Sequence, residues 1–595
     1  MNPMLRLPLL GLLLCASAPA AAASVAAPAD RLYQHGVVFT ADPQNSIVQA
    51  VAVRDGRIVF AGSDAAAAAF AGPRTVKVDL AGRFLMPGLI DGHMHPLEAG
   101  RNLLDCSLNY ESLTVAEFQA RIQACLDQDK AHEPDGWLEV VSWFQESMRP
   151  AGVQTSRATL DALKTRRPVV VRSSFGHTML ADSRALALAG INAATADPPG
   201  GKIWRAADGT PTGLLEDSAK DAVNAVIPKP TAAQDRAAAR AALKAMNAQG
   251  VTSFLDAWAA NDDLIAFSGV RKAGGLTARA HFAPAIEASE SGAIDAAIAR
   301  IIALRKRYDE GALAPAPAVT VRNTKFFLDG VIAAPALTGA VLEPYRRNAG
   351  TAEHPQWVAG TSRGPAVYFP PDVLARALIG LGRAGIDPHL HADGDGAVRA
   401  ALDAIAALRK ALPGADIRPA IAHDELVAPA DFPRFGSLDA TAVLSFQWEK
   451  PAGDTLGLTG YFGPERMRLL EPAGRIAAAG GRIAFGSDWP VDQLDEWFAL
   501  KVGVTRTNAP DAPPEYRGRL GDDPGLSREA VLRAATINAA FELHQEGVTG
   551  SIQTDKFADL IVLDRNPLTV PAEDIAKVRV LETLVGGRLV YEARR

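Results

Sequence analysis

The sequence predicts an α/β fold: a barrel of eight strand–helix units, plus a small β domain built from both ends of the chain. Three observations carry this expectation. A helix, a glycine, a strand and a polar loop recur in that order through the middle of the chain, which is the grammar of parallel β/α units. Residues of metal-ligand type fall near the ends of several of those strands, where a barrel gathers its active site. Both termini are rich in short strands and turns.

The chain has 595 residues, of which 48% are hydrophobic, so it can bury a large core and exceeds one ordinary domain. Charged residues make up 22% and the formal net charge is −6. No basic block stands out as a phosphate footprint, which argues against a nucleic-acid partner.

Residues 1–23 read as a secretory signal peptide: Arg6, an apolar run from about Leu7 to Ala16, then Ala-x-Ala patterns ending at Ala18 and Ala23. That run is too short for a stable membrane span, and no later segment reads as one. Export across the inner membrane to a bacterial periplasm is expected. Cys15 follows three leucines, as in a lipoprotein, but lacks the usual small residue before it. Lipidation and an extracellular destination therefore stay open. Cys106 and Cys125 remain after cleavage, and a disulfide or two buried thiols fit equally well.

Residues 31–85 and 547–595 are expected to form the composite β domain, a β-sandwich. VQAVAVRDGRIVFAG alternates apolar positions around an Asp-Gly turn, a hairpin signature. The barrel is assigned to residues 86–546. Helices are expected at Thr231–Ala248, at 372–384, at Ala397–Leu412 and at Pro464–Ala479, each closed by glycine or Pro-Gly and followed by a strand. Residues from about 108 to 220 fit this grammar less well and read as an insertion over the barrel mouth.

The chemistry lies at the strand ends. His93 and His95 occur in LIDGHMHP, two apart and so on one face of a strand. Lys325 lies in TVRNTKFFLDG, His391 ends HLH, His423 ends PAIAH and Asp488 follows IAFGS. Neutral imidazoles and a carboxylate suit zinc and similar ions. A bound divalent metal lowers the pKa of its water to about 7, giving hydroxide at neutral pH. An Asp at the same site can take the proton and pass it to a leaving nitrogen.

In this order, His-x-His, Lys, His, His, Asp resembles the amidohydrolase superfamily. PGLIDGHMHP, HADGDGAV, AHDELV and GSDWPV resemble its amidohydrolase 3 branch, which contains enzymes like N-substituted formamide deformylase. ATINAAF and FADLIVLDRNP match that branch's closing pattern. The resemblance implies a TIM-type (β/α)8 barrel and an enzyme that hydrolyses C–N bonds in amides, formamides, carbamates or cyclic amides. It implies one or two divalent metals, zinc foremost. His93 and His95 would hold the first, and His391 and His423 the second. Lys325 would bridge them as a CO2-derived carbamate, and Asp488 would be ligand and general base, then acid. A plain or substrate-bound lysine at a one-metal site is the alternative for Lys325.

Gly396 stands where the branch usually has arginine, and Asp555-Lys556 where it has Gly-Lys. His389 faces the same way as His391 and is read as a support for the ligands, with a pocket residue or a swapped ligand as the alternatives. His177, Trp143 and Trp489 are further substrate-contact candidates. A small-molecule substrate is expected, and homodimerisation stays open. The alternatives are a deaminase or esterase on the same scaffold, or a non-catalytic periplasmic binding protein.

Overall fold

The computed structural model describes residues 27–594 apart from 130–135, 146–147, 151–152, 175, 177, 199–200, 335 and 352–353. The expected signal peptide lies outside the described residues.

Eight strands carry the middle of the chain: β1 (Leu89–Met94), β2 (Val251–Ala259), β3 (Arg279–Pro284), β4 (Asn323–Phe327), β5 (Asp387–Ala392), β6 (Ala420–His423), β7 (Thr441–Leu444) and β8 (Arg482–Phe485). Neighbours in sequence are neighbours in space, and every pairing is parallel. Their near-continuous burial is what strands covered on both faces require.

The ladders form two sheets, β1–β2–β3 and β4 to β8, where the sequence reading expected one closed barrel. An isolated bridge, Ala285 to Lys325, links β3 to β4. No ladder joins β8 back to β1 among the described residues. That seam is instead fastened beyond the strand ends. The Asp488 amide donates to the His93 carbonyl at 2.7 Å, and the His95 amide to the Trp489 carbonyl at 2.8 Å. Gly486 permits this approach, since a Cβ there would lie 2.5 Å from the His93 Cβ.

The helix Ala232–Gln249 starts on a Thr231–Gln234 capping box and ends at Gly250, whose φ of 92° suits only glycine. Pro371–Arg383 buries Leu374, Ala377, Leu378 and Leu381 on one stripe. Asp395–Ala411 is the third expected helix. The fourth differs: one helix over 464–479 is replaced by Thr459–Met467, broken at Gly463, and Ala473–Ala478. The chain between them leaves the helix to bond elsewhere, with Leu470 bridging Leu426 and the Glu471 amide donating to the Glu425 carbonyl at 2.8 Å.

The terminal segments make a four-stranded and a six-stranded sheet that share one hydrophobic cluster, including Tyr33, Val51, Leu85, Leu560 and Leu584. The Asp55-Gly56 turn joins Ala50–Arg54 to Arg57–Gly62 with positive φ at both residues, as its sequence suggests. Arg279 on β3 meets Asp559 at 2.7 Å, both 1% exposed, tying the C-terminal strands to the barrel strands.

Cys106–Ser107, Leu138–Trp143, Val169–Ser173, Thr178–Ala181, Gly201–Arg205 and Pro211–Asp217 form a separate mixed sheet. It has its own core around Phe118, Val140, Trp143 and Leu180. Cys106 and Cys125 form a disulfide that fastens the helix Val115–Gln128 to this sheet. The bond closes a loop with a sequence separation of 19 residues. Removing it by Cys106→Ser is expected to cost about 3 kcal/mol by loop entropy. Thermal unfolding of the variant beside the oxidised and reduced wild type checks this. An unchanged midpoint on reduction would contradict it.

Candidate metal centre

The strand ends bring all six expected ligand positions, the lysine among them, into one largely buried cluster. His93 and His95 come from β1, Lys325 from β4, His391 from β5 and His423 from β6, and Asp488 lies just past β8. Asp488 Oδ1 lies 3.0 Å from His95 Nε2 and 3.6 Å from His93 Nε2. Its Oδ2 lies 4.0 Å from His423 Nδ1. The rings of His93 and His423 are 4.7 Å apart, and those of His391 and His423 are 4.5 Å apart. Lys325 Nζ lies 3.3 Å from His93 Nε2.

Backbone strain sits at the same place. His423, Asp424 and Asp488 have φ of 80°, 49° and 53°, a region that non-glycine residues adopt at a cost and that clusters at functional sites. Asp91 fixes the Asp488 loop: one oxygen accepts from the Ser487 and His93 amides, and the other takes the Ser487 hydroxyl at 2.5 Å. Burial pushes Asp91 up to about 7, against the pull of those bonds.

The donor set suits a cation. Burial, reinforced by the nearby charges, holds His93 and His423 well below the usual histidine range, so their nitrogens keep lone pairs. Asp488 Oδ1 is buried and accepts no hydrogen bond. Among the described residues, two overlapping groups have ligand atoms within 4.8 Å of one another: His93, His423 and Asp488, and His391, Asp393 and His423. The shared His423 places two such groups side by side. Burial also pushes Lys325 down to about 8, although Asp488, Asp393 and Asp256 oppose that shift.

Asp393 was missed in the sequence, although His391-Ala-Asp393 is itself a ligand-like spacing. It is 1% exposed, its Oδ1 lies 3.5 Å from His391 Nε2, and burial raises its carboxyl well above the usual range. Asp329 stands behind it, accepting from the Asp393, Gly394 and Ala340 amides. Aromatic rings also gather here. Trp448 stacks on His423 at 5.6 Å, Phe327 lies 5.1 Å from His391, and the half-exposed Trp258 packs edge-on against Phe327. No periodicity marks them, because each comes from a different strand or loop.

The softer candidates divide. His389 is fully buried beneath His93, so it is not a free pocket wall. Trp143 spends its ring in the separate sheet's core, 5.8 Å from Phe118, and at 1% exposure offers no face to a cleft. Trp489 is 4% exposed and contributes its carbonyl to the seam. The reading of both tryptophans as pocket walls is corrected accordingly: their strands and loops turn the rings into packed cores. His177 lies outside the described residues.

Parallel β/α units carrying buried histidines and an aspartate at the C-terminal strand ends define a metal-dependent hydrolase on a TIM-barrel-type scaffold. Residues 77–591 match the amidohydrolase family. The chain belongs to that family and is a hydrolase of the class acting on carbon–nitrogen bonds. Over 95% of its length it is 26% identical to Protein LONG AFTER FAR-RED 3 of Arabidopsis thaliana, covering 92% of that protein. It is also 26% identical to the N-substituted formamide deformylase of Arthrobacter pascens, across 93% of this chain and 97% of that one. Among solved structures, an uncharacterized metal-dependent hydrolase from Pyrococcus horikoshii OT3 superposes with a TM-score of 0.69 at 19% identity, over 91% of this chain and 99% of that chain.

Proposed function

We propose that this protein is an exported amidase-type hydrolase of N-substituted amides, formamides, carbamates or cyclic amides. His93, His95 and Asp488 would hold one divalent cation, and His391 and His423 a second. Zinc is the ion that best suits these ligands. Lys325, as a carbamate, would join the two. When bound, the cations supply a water of lowered pKa and polarise the scissile carbonyl.

The observation that carries this reading is the buried Asp488 Oδ1, without a hydrogen-bond donor and within 3.6 Å of two histidine nitrogens. An oxygen so placed can accept the proton of the attacking water. Once protonated, Asp488 can return that proton to the departing nitrogen, so the amine leaves neutral and the carboxylate is restored. His93 and His423, kept neutral by burial, serve as ligands and do not compete for the proton. Trp258, Phe327 and Trp448 would wall the approach to the carbonyl and exclude water from its flanks. Cysteines paired in a disulfide support export to an oxidising compartment. The 108–220 segment would supply specificity.

The test is product analysis. Zinc-loaded protein is incubated with a panel of N-substituted formamides, amides, carbamates, esters and ring amines. Release of a substituted amine with its matching acid is the expected result. Turnover of esters alone, or ammonia as the only nitrogen product, would replace this reading with an esterase or a deaminase.

A further inference from the structure

We propose that Glu542 and His389 form a buried relay that orients His93 as a ligand, so that a carboxylate outside the cation's reach sets the affinity of the centre. This rests on the metal-site reading above and goes beyond it by assigning two positioning residues.

The three side chains lie in a line. His389 Nε2 is 2.8 Å from His93 Nδ1, and His389 Nδ1 is 3.2 Å from Glu542 Oε1. His93 is 2% exposed, and His389 and Glu542 are 0% exposed. Glu542 ends the helix Ala539–Glu542, behind the seam between β8 and β1. Gly92 makes room for it, because a Cβ there would lie 2.3 Å from Glu542 Oε2. Both Glu542 oxygens and His389 Nδ1 are buried and meet no other hydrogen-bond partner, so the 3.2 Å contact between His389 Nδ1 and Glu542 Oε1 is where each can be satisfied. A carboxyl group taken so far out of water is costly unless a hydrogen-bond donor meets it, and His389 Nδ1 is the donor that faces it.

The hydrogen-bond logic runs one way. To ligate a cation through Nε2, His93 must carry its proton on Nδ1, where it can donate only to His389 Nε2. His389 then carries its own proton on Nδ1, facing Glu542. This arrangement bonds His389 Nε2 to His93, turns the His389 Nδ1 proton toward Glu542 Oε1 at 3.2 Å, and leaves the His93 Nε2 lone pair facing Asp488 and Lys325. Partners of this kind fix a ligand's tautomer and raise its basicity. His389 and Glu542 touch no reacting atom in this scheme. Their role is to hold His93.

The experiment measures zinc affinity by chelator competition on the purified protein and on Glu542→Gln, Glu542→Ala, His389→Ala and the double alanine variant. Absorption spectra of the cobalt-substituted proteins and thermal unfolding of each metal-free protein accompany it. Glu542→Ala and His389→Ala are expected to weaken affinity about 10–100-fold and to shift the cobalt bands. Glu542→Gln, which keeps an acceptor oxygen but loses the charge, should fall between them and wild type. The double variant should be no weaker than His389→Ala, because Glu542 acts through that ring. Affinities and cobalt bands equal to wild type, with only the unfolding midpoint lowered, would reduce the pair to core filling and overturn the relay. Losses that multiply in the double variant would overturn it too. A wild type that binds no zinc would bring down the metal-site reading itself, an outcome distinct from variants that bind as well as a zinc-binding wild type.

Discussion

Asp488→Asn is expected to lower kcat by roughly 10²–10⁴-fold, the contribution typical of a positioned proton carrier. The substitution is chosen because the fold should tolerate it. Asparagine has nearly the same volume, and it is among the residues that best accept the left-handed backbone, here φ of 53°. The Asp488 amide would still donate to the His93 carbonyl, so the β1–β8 seam should hold. What disappears is the ability to take and return a proton. Steady-state kinetics, zinc content and the unfolding midpoint, measured together, separate the roles. A fall in kcat at wild-type zinc content identifies the proton carrier, whereas loss of zinc identifies chiefly a ligand. A kcat within about tenfold of wild type, with zinc retained, would remove Asp488 from the chemistry.

The second large effect concerns Lys325. If it bridges two cations as a carbamate, wild type should carry two zinc ions per chain by elemental analysis, and Lys325→Ala one or none, with activity lost accordingly. The lysine is suited to the modification. Burial lowers its pKa to about 8, so the neutral amine, the form that attacks CO2, becomes abundant as pH rises through that value. A new N–C bond forms and the amine proton goes to solvent. Metal-free protein reloaded in bicarbonate should therefore regain activity faster at pH 8.5 than at pH 6.5. Labelled bicarbonate should give a carbamate carbon signal that Lys325→Ala lacks. One zinc per chain in both proteins would make this a one-metal site and leave Lys325 as a plain buried amine, 4.7 Å from the Phe327 ring.

Both predictions concern residues visible in the sequence, and the reason is geometric. Strand-end ligands sit beside their strands in the chain, so β1 announces His93 and His95, and β5 announces His391. Thr231 and Gly250 announce the ends of the helix Ala232–Gln249, because capping is a local matter of side chain to backbone. Glu542 was not legible. It lies 153 positions after His389 in a helix end with no ligand spacing, and only packing across the seam brings the two within 3.2 Å. Trp258 likewise comes against Phe327 and His95 only because β2 lies beside β1 and Phe327 comes from β4. Trp143 shows the converse. An aromatic residue at a strand end reads as a pocket wall, yet its partner Phe118 draws it into a core.

The sequence by itself determined the strand–helix alternation, the hairpins and the set of ligand-type residues, because periodicity, turn chemistry and spacing act over a few residues. The tertiary structure decided how the β1–β8 seam is fastened, whether Cys106 and Cys125 pair, and which buried acids and aromatic rings stand behind the ligands. These depend on contacts between separate segments, 19 residues apart for the disulfide and hundreds apart for the seam, and no local pattern encodes such contacts.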